Sequence, residues 1–313
     1  MDAATIASKI KLLEENISKV FIGKPELIRI TLVAFFGGGH LLLDDAPGLG
    51  KTLLGQALAR SVDATFSRVQ FTSDLLPSDV VGSEIYNQKT LEFQFVPGPI
   101  FANVVLADEI NRTPPRTQSA TLEAMSERQV SAGGQTYRLP DPFFVVATQN
   151  PIEYEGVYPL PESQLDRFML RTSVGYPDRA AELEILDAHK KDDLLGSLAP
   201  VLSRDDVLQI RAAALETRLD PAVANYMLDI VETTRRSPEL QVGASPRASL
   251  AFARAARTNA ILDGRDYVTP DDVKALAVRA LAHRLIPRNS RREETRRVTE
   301  SFVERALASV ATP

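Results

Sequence analysis

Residues 45–52 read D-A-P-G-L-G-K-T and directly follow a short apolar run. A buried strand that leads into a glycine-rich turn ending in Lys-Thr is typical of loops that bind nucleotide phosphates. Gly48 and Gly50 let the backbone curl so that its N–H groups face an anion. Lys51 supplies a positive charge for the β- and γ-phosphates, and the Thr52 hydroxyl can bind Mg²⁺. The segment therefore predicts a phosphate loop.

One position of this loop departs from the general pattern G-x-x-x-x-G-K-[ST], because Asp45 stands where the first glycine is expected. Asp tolerates turn conformations better than most residues, so we expect the loop to form and nucleotide binding to be weakened at worst. The run from Leu53 to Ser61 has helical composition, which would direct the positive end of a helix dipole at the phosphates. Taken alone, such a segment can also be an ordinary surface turn.

A second motif strengthens the nucleotide interpretation. The apolar run of residues 104–107 has strand character and ends in Asp108 and Glu109. Adjacent carboxylates at the end of a buried strand are costly unless they face a cation or water. We expect Asp108 to hold Mg²⁺ through its water shell and Glu109 to deprotonate the water that attacks the γ-phosphate. The alternative is that the two residues only begin a surface loop.

A third strand-like run, residues 143–148, ends in Gln149, Asn150 and Pro151. An amide at the end of a neighbouring strand can hydrogen-bond both the γ-phosphate and the attacking water. Asn150 is the better candidate because Pro151 stops the strand directly after it. Alternatively, Asn150 only caps a turn before proline.

The order of these motifs resembles that of the AAA+ ATPases: a strand and a phosphate loop come first, then a strand ending in Asp-Glu, then a strand ending in Asn. The local sequence is similar to the MoxR branch of that superfamily. The resemblance runs from about Ile22 to Leu285. Its matching segments are residues 40–52, 70–82, 98–120, 147–168 and 243–248.

The resemblance implies an α/β fold, namely an αβα nucleotide-binding domain with a parallel five-stranded sheet of order 5-1-4-3-2, followed by an all-helical lid domain. It also implies a ring, usually a hexamer, with ATP and Mg²⁺ bound between neighbouring subunits. Carried over to this chain, it assigns Lys51 and Thr52 to the Walker A motif, Asp108 and Glu109 to the Walker B motif, Asn150 to sensor 1, Arg167 to the arginine finger, and Arg247 to sensor 2. It further places Gly48, Leu49, Gly50, Leu53, Phe21, Ile22 and Gly23 around the nucleotide.

The alternation of strand-like and helical runs predicts an α/β domain over residues 1–176, and the helix-start signals after Pro177 predict a helical domain over residues 177–313. Capping residues precede several of these helices, namely Ser203, Asp220, Ser245, Thr269 and Ser290. Two hairpins are predicted within the first domain. Residues 84–95 form one, with Leu91, Phe93 and Phe95 on one face, and residues 128–139 form the other, around Gly133-Gly134. By resemblance both project toward a ring pore; the residues alone predict only hairpins.

Two arginines have local features that suit a role at an anion. Pro246 predicts that Arg247 lies in the first turn of its helix, where a cation opposes the macrodipole by about 0.3–1 kcal/mol unless an anion is present. Arg167 lies just before a last strand, at an edge position from which it could reach a neighbouring subunit's γ-phosphate. Local ion pairs, for Arg167 with Asp166 or Glu162, are the alternative.

Composition limits the remaining possibilities. The chain has no cysteine, so disulfides and thiolate metal sites are excluded, and its three histidines lack metal-ligand spacing. A net charge of −5 argues against nucleic acid as a partner. The arginine-rich run of residues 288–297 is more typical of a solvated helix face with internal ion pairs. No secretion signal or membrane span is apparent, so we expect a cytoplasmic protein.

Three functions remain open. The favoured one is an ATP-hydrolysing, chaperone-like ring that remodels or assembles a client protein, and the resemblance implies a partner with a von Willebrand factor A domain. The second is the motor subunit of a metal-chelatase-like complex. The third, a nucleic-acid-dependent ATPase, is disfavoured by the acidic charge. A purely structural nucleotide-bound scaffold is disfavoured by the presence of both Glu109 and Arg167.

Overall fold

The computed structural model describes residues 1–45, 48–150, 156–188, 194–289, 291 and 294–313. Its first part alternates helices with strands. The elements of this part are α1 (Ala3–Ser18), α2 (Pro25–Phe36), β1 (Leu41–Asp44), α3 (Lys51–Ser61), β2 (Phe66–Gln70), α4 (Pro77–Val81), β3 (Gly82–Asn87), β4 (Glu92–Pro97), β5 (Val104–Asp108), α5 (Pro115–Glu127), β6 (Gln129–Ala132), β7 (Gln135–Arg138), β8 (Phe144–Gln149), α6 (Glu162–Leu165) and β9 (Leu170–Thr172). A 3-10 turn, Ile110–Arg112, follows β5.

Five parallel strands form the central sheet in the order β2-β5-β8-β1-β9. This confirms the order 5-1-4-3-2, because β9, β1, β8, β5 and β2 are the fifth, first, fourth, third and second of these strands in the chain. The central strands are apolar on both faces, as expected for a parallel sheet covered on both sides. Leu41 and Leu43 of β1 pack with the N-terminal and lid helices, whereas Leu42 packs in the opposite layer with Leu122 of α5.

The second part is mainly helical, which confirms the helical lid. Its elements are α7 (Arg179–Ala188), α8 (Arg204–Glu216), α9 (Pro221–Arg236), β10 (Leu240–Val242), α10 (Pro246–Leu262), α11 (Pro270–Leu281), β11 (Ile286–Pro287) and α12 (Thr295–Ser309). Among the described residues, β10 and β11 form a short antiparallel pair that the sequence analysis did not predict. The domain boundary near residue 176 stays a prediction; it lies between the end of β9 and the start of α7.

Local capping chemistry explains where the lid helices begin. Ser203 and Asp206 form a reciprocal capping box at α8, and Thr269 and Asp272 form another at α11. Asp220 caps α9, and Ser245 Oγ accepts a hydrogen bond from the N–H of Ala248 at 3.0 Å at the start of α10. The predicted cap at Ser290 lies outside the described residues. Within the described helices, none combines the length and apolar character needed to cross a bilayer.

Both predicted hairpins are present. β3 pairs with β4, and β6 pairs with β7 through a turn in which Gly133 and Gly134 have φ values of 55° and 76°. The two hairpins contact each other, because the Phe95 ring stacks on Tyr137 with centroids 4.0 Å apart. One detail of the prediction was wrong. Leu91 lies in the turn before β4 with φ 58°, so it does not extend the strand face of Phe93 and Phe95.

The arginine-rich run near the C-terminus is not simply a solvated face. Arg296 of α12 is partly buried and reaches back to the main sheet, with its Nη1 atom 3.5 Å from Asp44 Oδ2 at the end of β1. Its Nε atom also pairs with Glu300 at 2.8 Å. Arg292 and Glu293, two other charged residues of this run, lie outside the described residues. Arg296 therefore ties the last helix to the strand that precedes the phosphate loop.

Candidate nucleotide-binding site

The phosphate loop follows the carboxyl end of β1 and leads into α3. Gly48 and Gly50 have φ values of 86° and 81°, a region that side chains other than glycine rarely adopt. A Cβ atom built on Gly48 would meet nothing within 4 Å, so the loop leaves open space on this side. Lys51 begins α3, and its Nζ donates to the carbonyl oxygen of Asp45 at 3.0 Å. The positive helix end and the ammonium group therefore lie beside the loop.

The structure gives Asp45 a definite contact. Its buried carboxylate accepts hydrogen bonds from the backbone N–H groups of Val174 and Gly175, the latter at 3.1 Å. These residues directly follow β9, so Asp45 ties the phosphate loop to the chain that leads into the lid. A glycine here would leave two N–H groups without this acceptor, which is a physical reason for the departure from the general motif. Weakened nucleotide binding stays a prediction.

A cavity of about 590 Å³ opens beside the loop. Such a volume is typical of small-molecule sites. Its walls combine loop residues with apolar side chains from the N-terminal segment and the lid. Six of the lining residues were predicted to contact the nucleotide, namely Phe21, Ile22, Gly48, Leu49, Gly50 and Leu53. The lid contributes Ile185, Leu194 and Leu195. This apolar wall suits a planar base, with the phosphates directed at the glycine turn.

Gly23 has a different surrounding from the one predicted. It is not among the residues that line the cavity. Its φ is 77°, and a Cβ atom on it would lie 2.3 Å from the Cβ of Ala181 in α7. Gly23 thus allows the N-terminal segment and α7 to approach closely, which supports the cavity wall indirectly.

Asp108 closes β5 and is held from both neighbouring strands. Its Oδ1 accepts a hydrogen bond from the Thr148 hydroxyl of β8 at 2.6 Å. Its Oδ2 lies 2.7 Å from Nη2 of Arg68 on β2. Both oxygens of the buried carboxylate therefore have partners, which offsets the cost of its burial. The sequence analysis missed Thr148 and Arg68.

Glu109 follows in a left-handed conformation, with φ 58°. A residue other than glycine is uncommon there, and such strained positions cluster at functional sites. Its carboxylate accepts a hydrogen bond from Gln70 Nε2 of β2 at 2.6 Å and lies 3.2 Å from Arg112 Nε. Its backbone N–H donates to Thr148 Oγ1 at 2.8 Å, so one threonine supports both acidic residues.

The amides after β8 separate into two roles. Gln149 turns toward β1, and its Nε2 donates to Asp44 Oδ1 at 2.6 Å. Asn150 is buried at the same carboxyl edge of the sheet as Asp108 and Glu109. The distinction between the two amides agrees with the choice of Asn150 as the candidate that faces the nucleotide.

Arg167 lies between α6 and β9, and the local ion pair considered for it does not form. Its neighbour Asp166 pairs instead with Arg284 of the lid, at 2.9 Å between Oδ1 and Nε. The Nε and Nη1 atoms of Arg167 are buried and have no hydrogen-bond partner among the described residues. Buried guanidinium nitrogens without partners are unfavourable, so an additional acceptor is expected at this position.

Arg247 lies close to the same segment. It is exposed in the first turn of α10, whose cap Ser245 lies 3.3 Å from the carboxylate of Asp166. Its charge acts on Arg284, whose pKa is lowered to about 10, mainly by burial. Arg247 is not among the residues lining the cavity beside the chain's own phosphate loop. The segments that carry Arg167 and Arg247 thus contact each other, and neither residue lines that cavity; together they form the arginine side of the candidate site.

Magnesium prefers oxygen ligands and usually keeps several waters. Thr52, in the first turn of α3, and Asp108 offer such oxygens. Asp108 already holds a cation in the form of the Arg68 guanidinium. Among the described residues no three His, Cys, Asp or Glu side chains cluster as a metal site. The donor set therefore fits an ion bound mainly by phosphate oxygens and water, with Thr52 and Asp108 as the contribution of the chain.

Comparison with known proteins agrees with this geometry. Residues 40–170 match the model of the ATPase family associated with various cellular activities (AAA), and residues 232–305 match the AAA lid domain. A crystal structure of a Cytophaga hutchinsonii protein, provisionally assigned as an ATPase, aligns with a TM-score of 0.90 at 38% identity, covering 99% of this chain and 97% of that one. The chain is therefore an AAA ATPase domain with its lid.

Individual relatives narrow this class. Chaperone MoxR1 of Mycobacterium tuberculosis is 43% identical over 296 residues, which cover 91% of this chain and 78% of the relative. Protein MoxR of Methylorubrum extorquens is 32% identical, with 87% of this chain and 86% of the relative covered. Uncharacterized protein YeaC of Bacillus subtilis is 50% identical, with 87% and 85% covered. This chain belongs to the MoxR family of AAA+ ATPases.

Proposed function

We propose that the protein hydrolyses ATP in a ring of identical subunits and uses the energy to remodel or assemble a protein partner. The observation that carries this proposal is the set of strand ends around the phosphate loop. Lys51 begins α3 there, and Asp108 and Glu109 are both held at the carboxyl edge of the same sheet by Thr148. Phosphate binding and water activation would thereby share one edge.

Glu109 is the proposed general base. A carboxylate has about four acceptor positions, so the bond from Gln70 orients the group and leaves others for the attacking water. Asn150 would hydrogen-bond that water and the γ-phosphate. Lys51 and the N-terminus of α3 stabilise negative charge on the phosphates. Thr52 and Asp108 would hold Mg²⁺, which would neutralise negative charge on the phosphates.

Arg167 and Arg247 are proposed to act on the nucleotide of a neighbouring subunit. Two observations support this. Ser245, at the start of the helix that carries Arg247, contacts Asp166, the residue before Arg167. The cavity beside the chain's own phosphate loop is lined by neither arginine. The two nitrogens of Arg167 without a partner in the described chain are buried, so the side chain would turn outward to meet a neighbour's γ-phosphate. A ring, with six subunits as the favoured number, would place it there.

A protein client is favoured over nucleic acid by the net charge of −5. The relative from M. tuberculosis is named as a chaperone, which agrees with this choice. The hairpin of β3 and β4 exposes Ile85, Leu91 and Phe93, apolar side chains that a client could contact. The von Willebrand factor A domain partner and the cytoplasmic location are further parts of this proposal.

The Glu109→Gln variant tests the proposal. It should still bind Mg²⁺–ATP, because Lys51, Thr52 and Asp108 are intact, whereas turnover should fall by ~10²–10⁴-fold when the base is lost. Nucleotide binding is measured by calorimetry and turnover by phosphate release. The trapped variant, loaded with ATP, should also retain a von Willebrand factor A domain protein from the native lysate.

The Glu123→Gln variant is the matched control, because it makes the same change at an exposed position of α5. Near-normal hydrolysis by Glu109→Gln would remove Glu109 from its assigned role. ATP-dependent retention of DNA, in place of protein, would contradict the proposed class of client.

A further inference from the structure

A second cavity, of about 260 Å³, lies away from the phosphate loop. Gly37 and Gly38, which precede β1, and Asp141, which precedes β8, form its wall on the side of the nucleotide-binding domain. Helices α8 and α10 of the lid form the other wall. Because the phosphate loop follows the carboxyl end of β1, this cavity lies at the opposite edge of the sheet, on the order of 15 Å away.

Three arginines line this cavity, against one carboxylate, that of Asp141. They are Arg128 at the end of α5, Arg211 on α8 and Arg254 on α10. A positive excess of two charges in one small cavity is notable in a chain whose net charge is −5. Like charges at one cavity repel one another, although solvent screens the exposed Arg128 and Arg254, and a bound anion would remove the repulsion.

Two of the arginines have structural partners. Arg211 is buried, donates from Nε and Nη2 to the carbonyl oxygen of Phe35 at 3.1 and 2.9 Å, and pairs with Asp141 at 3.1 Å. Arg128 donates from Nη2 to the carbonyl oxygen of Gly38 at 2.8 Å. Both therefore stabilise the C-terminal end of α2, where cations are favourable. These contacts account for their presence. Asp141 balances the charge of Arg211, whereas the carbonyl oxygen of Gly38 leaves the charge of Arg128 unbalanced.

Arg254 has no such explanation. Its guanidinium makes no hydrogen bond or ion pair within the described ranges of the chain. Burial, and after it the charge of Arg128, lower the pKa of Arg254. Burial also lowers the pKa of Arg211 to about 10, against the opposing effect of Asp141 and with the charges of Arg128 and Arg254 adding to the decrease. The two charges of the cavity without a carboxylate partner are thus those of Arg128 and Arg254, both of which are exposed, whereas Arg211 is buried.

We propose that this cavity binds a small phosphate-bearing anion through the guanidinium groups of Arg128, Arg211 and Arg254. Guanidinium groups present paired N–H donors in a planar fork, a geometry that matches phosphate oxygens. At about 30 Å³ for each water molecule, the cavity has room for roughly nine waters, which is enough for a phosphate group and a short ester or second phosphate.

The position of the site gives the ligand a structural effect. Arg128 belongs to the nucleotide-binding domain, whereas Arg211 and Arg254 belong to the lid. An anion shared by all three binds the lid to the core from the side opposite ATP. Its binding therefore raises the free energy of unfolding and restrains movement of the lid. The site is independent of the ATPase proposal, because it contains none of the residues assigned to hydrolysis.

The test uses pyrophosphate and the Lys51→Ala chain, in which the phosphate loop has lost its charge. Calorimetry at low ionic strength should detect pyrophosphate binding to this chain. An added Arg254→Gln change should weaken that binding about tenfold, the equivalent of ~1.4 kcal/mol, and Arg254→Lys should restore part of it. Asp141→Asn should tighten binding, because it removes the one carboxylate of the cavity.

Arg204→Gln is the control, because it removes the same charge from an exposed position at the start of α8. It should leave pyrophosphate affinity unchanged. The increase in melting temperature on adding pyrophosphate should be smaller in Arg254→Gln and unchanged in Arg204→Gln. Equal affinity in the Arg254→Gln and Arg204→Gln chains, or no binding to the Lys51→Ala parent, would overturn the proposal.

Discussion

The candidate site has a strand-end side, formed by Asp108, Glu109 and Asn150, and an arginine side, formed by Arg167 and Arg247. The two sides differ in how many hydrogen-bond and ion-pair partners their side chains have. Asp108 and Glu109 have hydrogen-bond or ion-pair partners on the neighbouring strands β2 and β8. On the arginine side, two buried nitrogens of Arg167 lack a partner among the described residues, and Arg247 is exposed. The chain thus gives partners to the residues proposed to bind Mg²⁺ and activate water. It leaves the arginines proposed to stabilise charge on the γ-phosphate without an anion.

This difference indicates how the work of the site is divided. Groups that must be rigid before ATP arrives are held by the parallel sheet, whose register brings its carboxyl ends to one edge. Groups that are proposed to contact a neighbour's nucleotide need not be satisfied in the isolated chain. The lid instead fixes their backbone, because Arg284 Nη2 donates to the carbonyl oxygen of Phe168 at 2.7 Å and its Nε pairs with Asp166.

The largest expected effect is that of Arg167→Ala. Turnover should fall by ~10³–10⁵-fold, as for other arginine fingers, while nucleotide affinity stays close to that of the original chain. Thermal stability should not fall, because the variant breaks no hydrogen bond of Arg167 Nε or Nη1 and removes two buried nitrogens without partners. A parallel loss of affinity, measured by calorimetry, would place Arg167 in its own subunit's site and remove the contrast between the two sides.

A smaller effect is expected for Asp45→Ala, which tests whether the strand-end side supports itself. The change leaves the N–H groups of Val174 and Gly175 without their acceptor, which costs roughly 2–6 kcal/mol of unfolding free energy at about 1–3 kcal/mol for each group. Asp45→Asn retains one acceptor oxygen and should lose less. Urea unfolding measures both. An Asp45→Ala chain as stable as the original would show that this contact does not hold the loop.

The smallest effect concerns pH and the opposite end of β1. His40 is buried, accepts the N–H of Val145 at Nδ1, and lies 3.1 Å from the carbonyl oxygen of Met125 at Nε2. Burial lowers the pKa of His40 from its ordinary value of 6.5 to about 4. Since the unfolded chain binds this proton more readily, stability is full above pH 6.5 and falls as pH drops toward 4.

At pH 5 the loss from His40 is roughly 2 kcal/mol relative to pH 7, again measured by urea unfolding. The His40→Gln chain is the control, because it keeps every carboxylate and also His283, a second buried histidine whose pKa is lowered mainly by burial. Its stability should depend less steeply on pH across this range. An identical slope in the two chains would contradict the assignment of this proton to His40.

The sequence predicted the strand-end side better than the arginine side for a physical reason. A phosphate loop, an Asp-Glu pair and a strand-ending Asn are local patterns, and a parallel sheet brings such strand ends together without further information. Contacts from β2 to the acidic pair depend on which strands are neighbours and on register. Arg68 and Gln70 are two residues apart on β2, so their polar side chains share one face of the strand. That was the only local signal of their contacts with Asp108 and Glu109.

The contacts of the lid could not be predicted from local patterns. The Asp166–Arg284 pair joins residues far apart in the chain, and the three-arginine cavity joins α5, α8 and α10. The role of Asp45 could not be predicted either, because the N–H groups that donate to its carboxylate follow β9. Only the fold brings them close to Asp45. Capping boxes, in contrast, are encoded within four residues, and those at Ser203 and Thr269 were predicted and confirmed.

The central claim, that the site is completed between subunits, is tested most directly by mixing two inactive chains. Lys51→Ala subunits lack a working phosphate loop but keep Arg167, whereas Arg167→Ala subunits keep the loop but lack the finger. Phosphate release is measured after the two preparations are mixed, with subunit exchange verified by fluorescence transfer between labelled chains. Each preparation alone should be nearly inactive, and the mixture should recover part of the original ATPase activity. If the subunits exchange and no activity returns, Arg167 does not act across the interface.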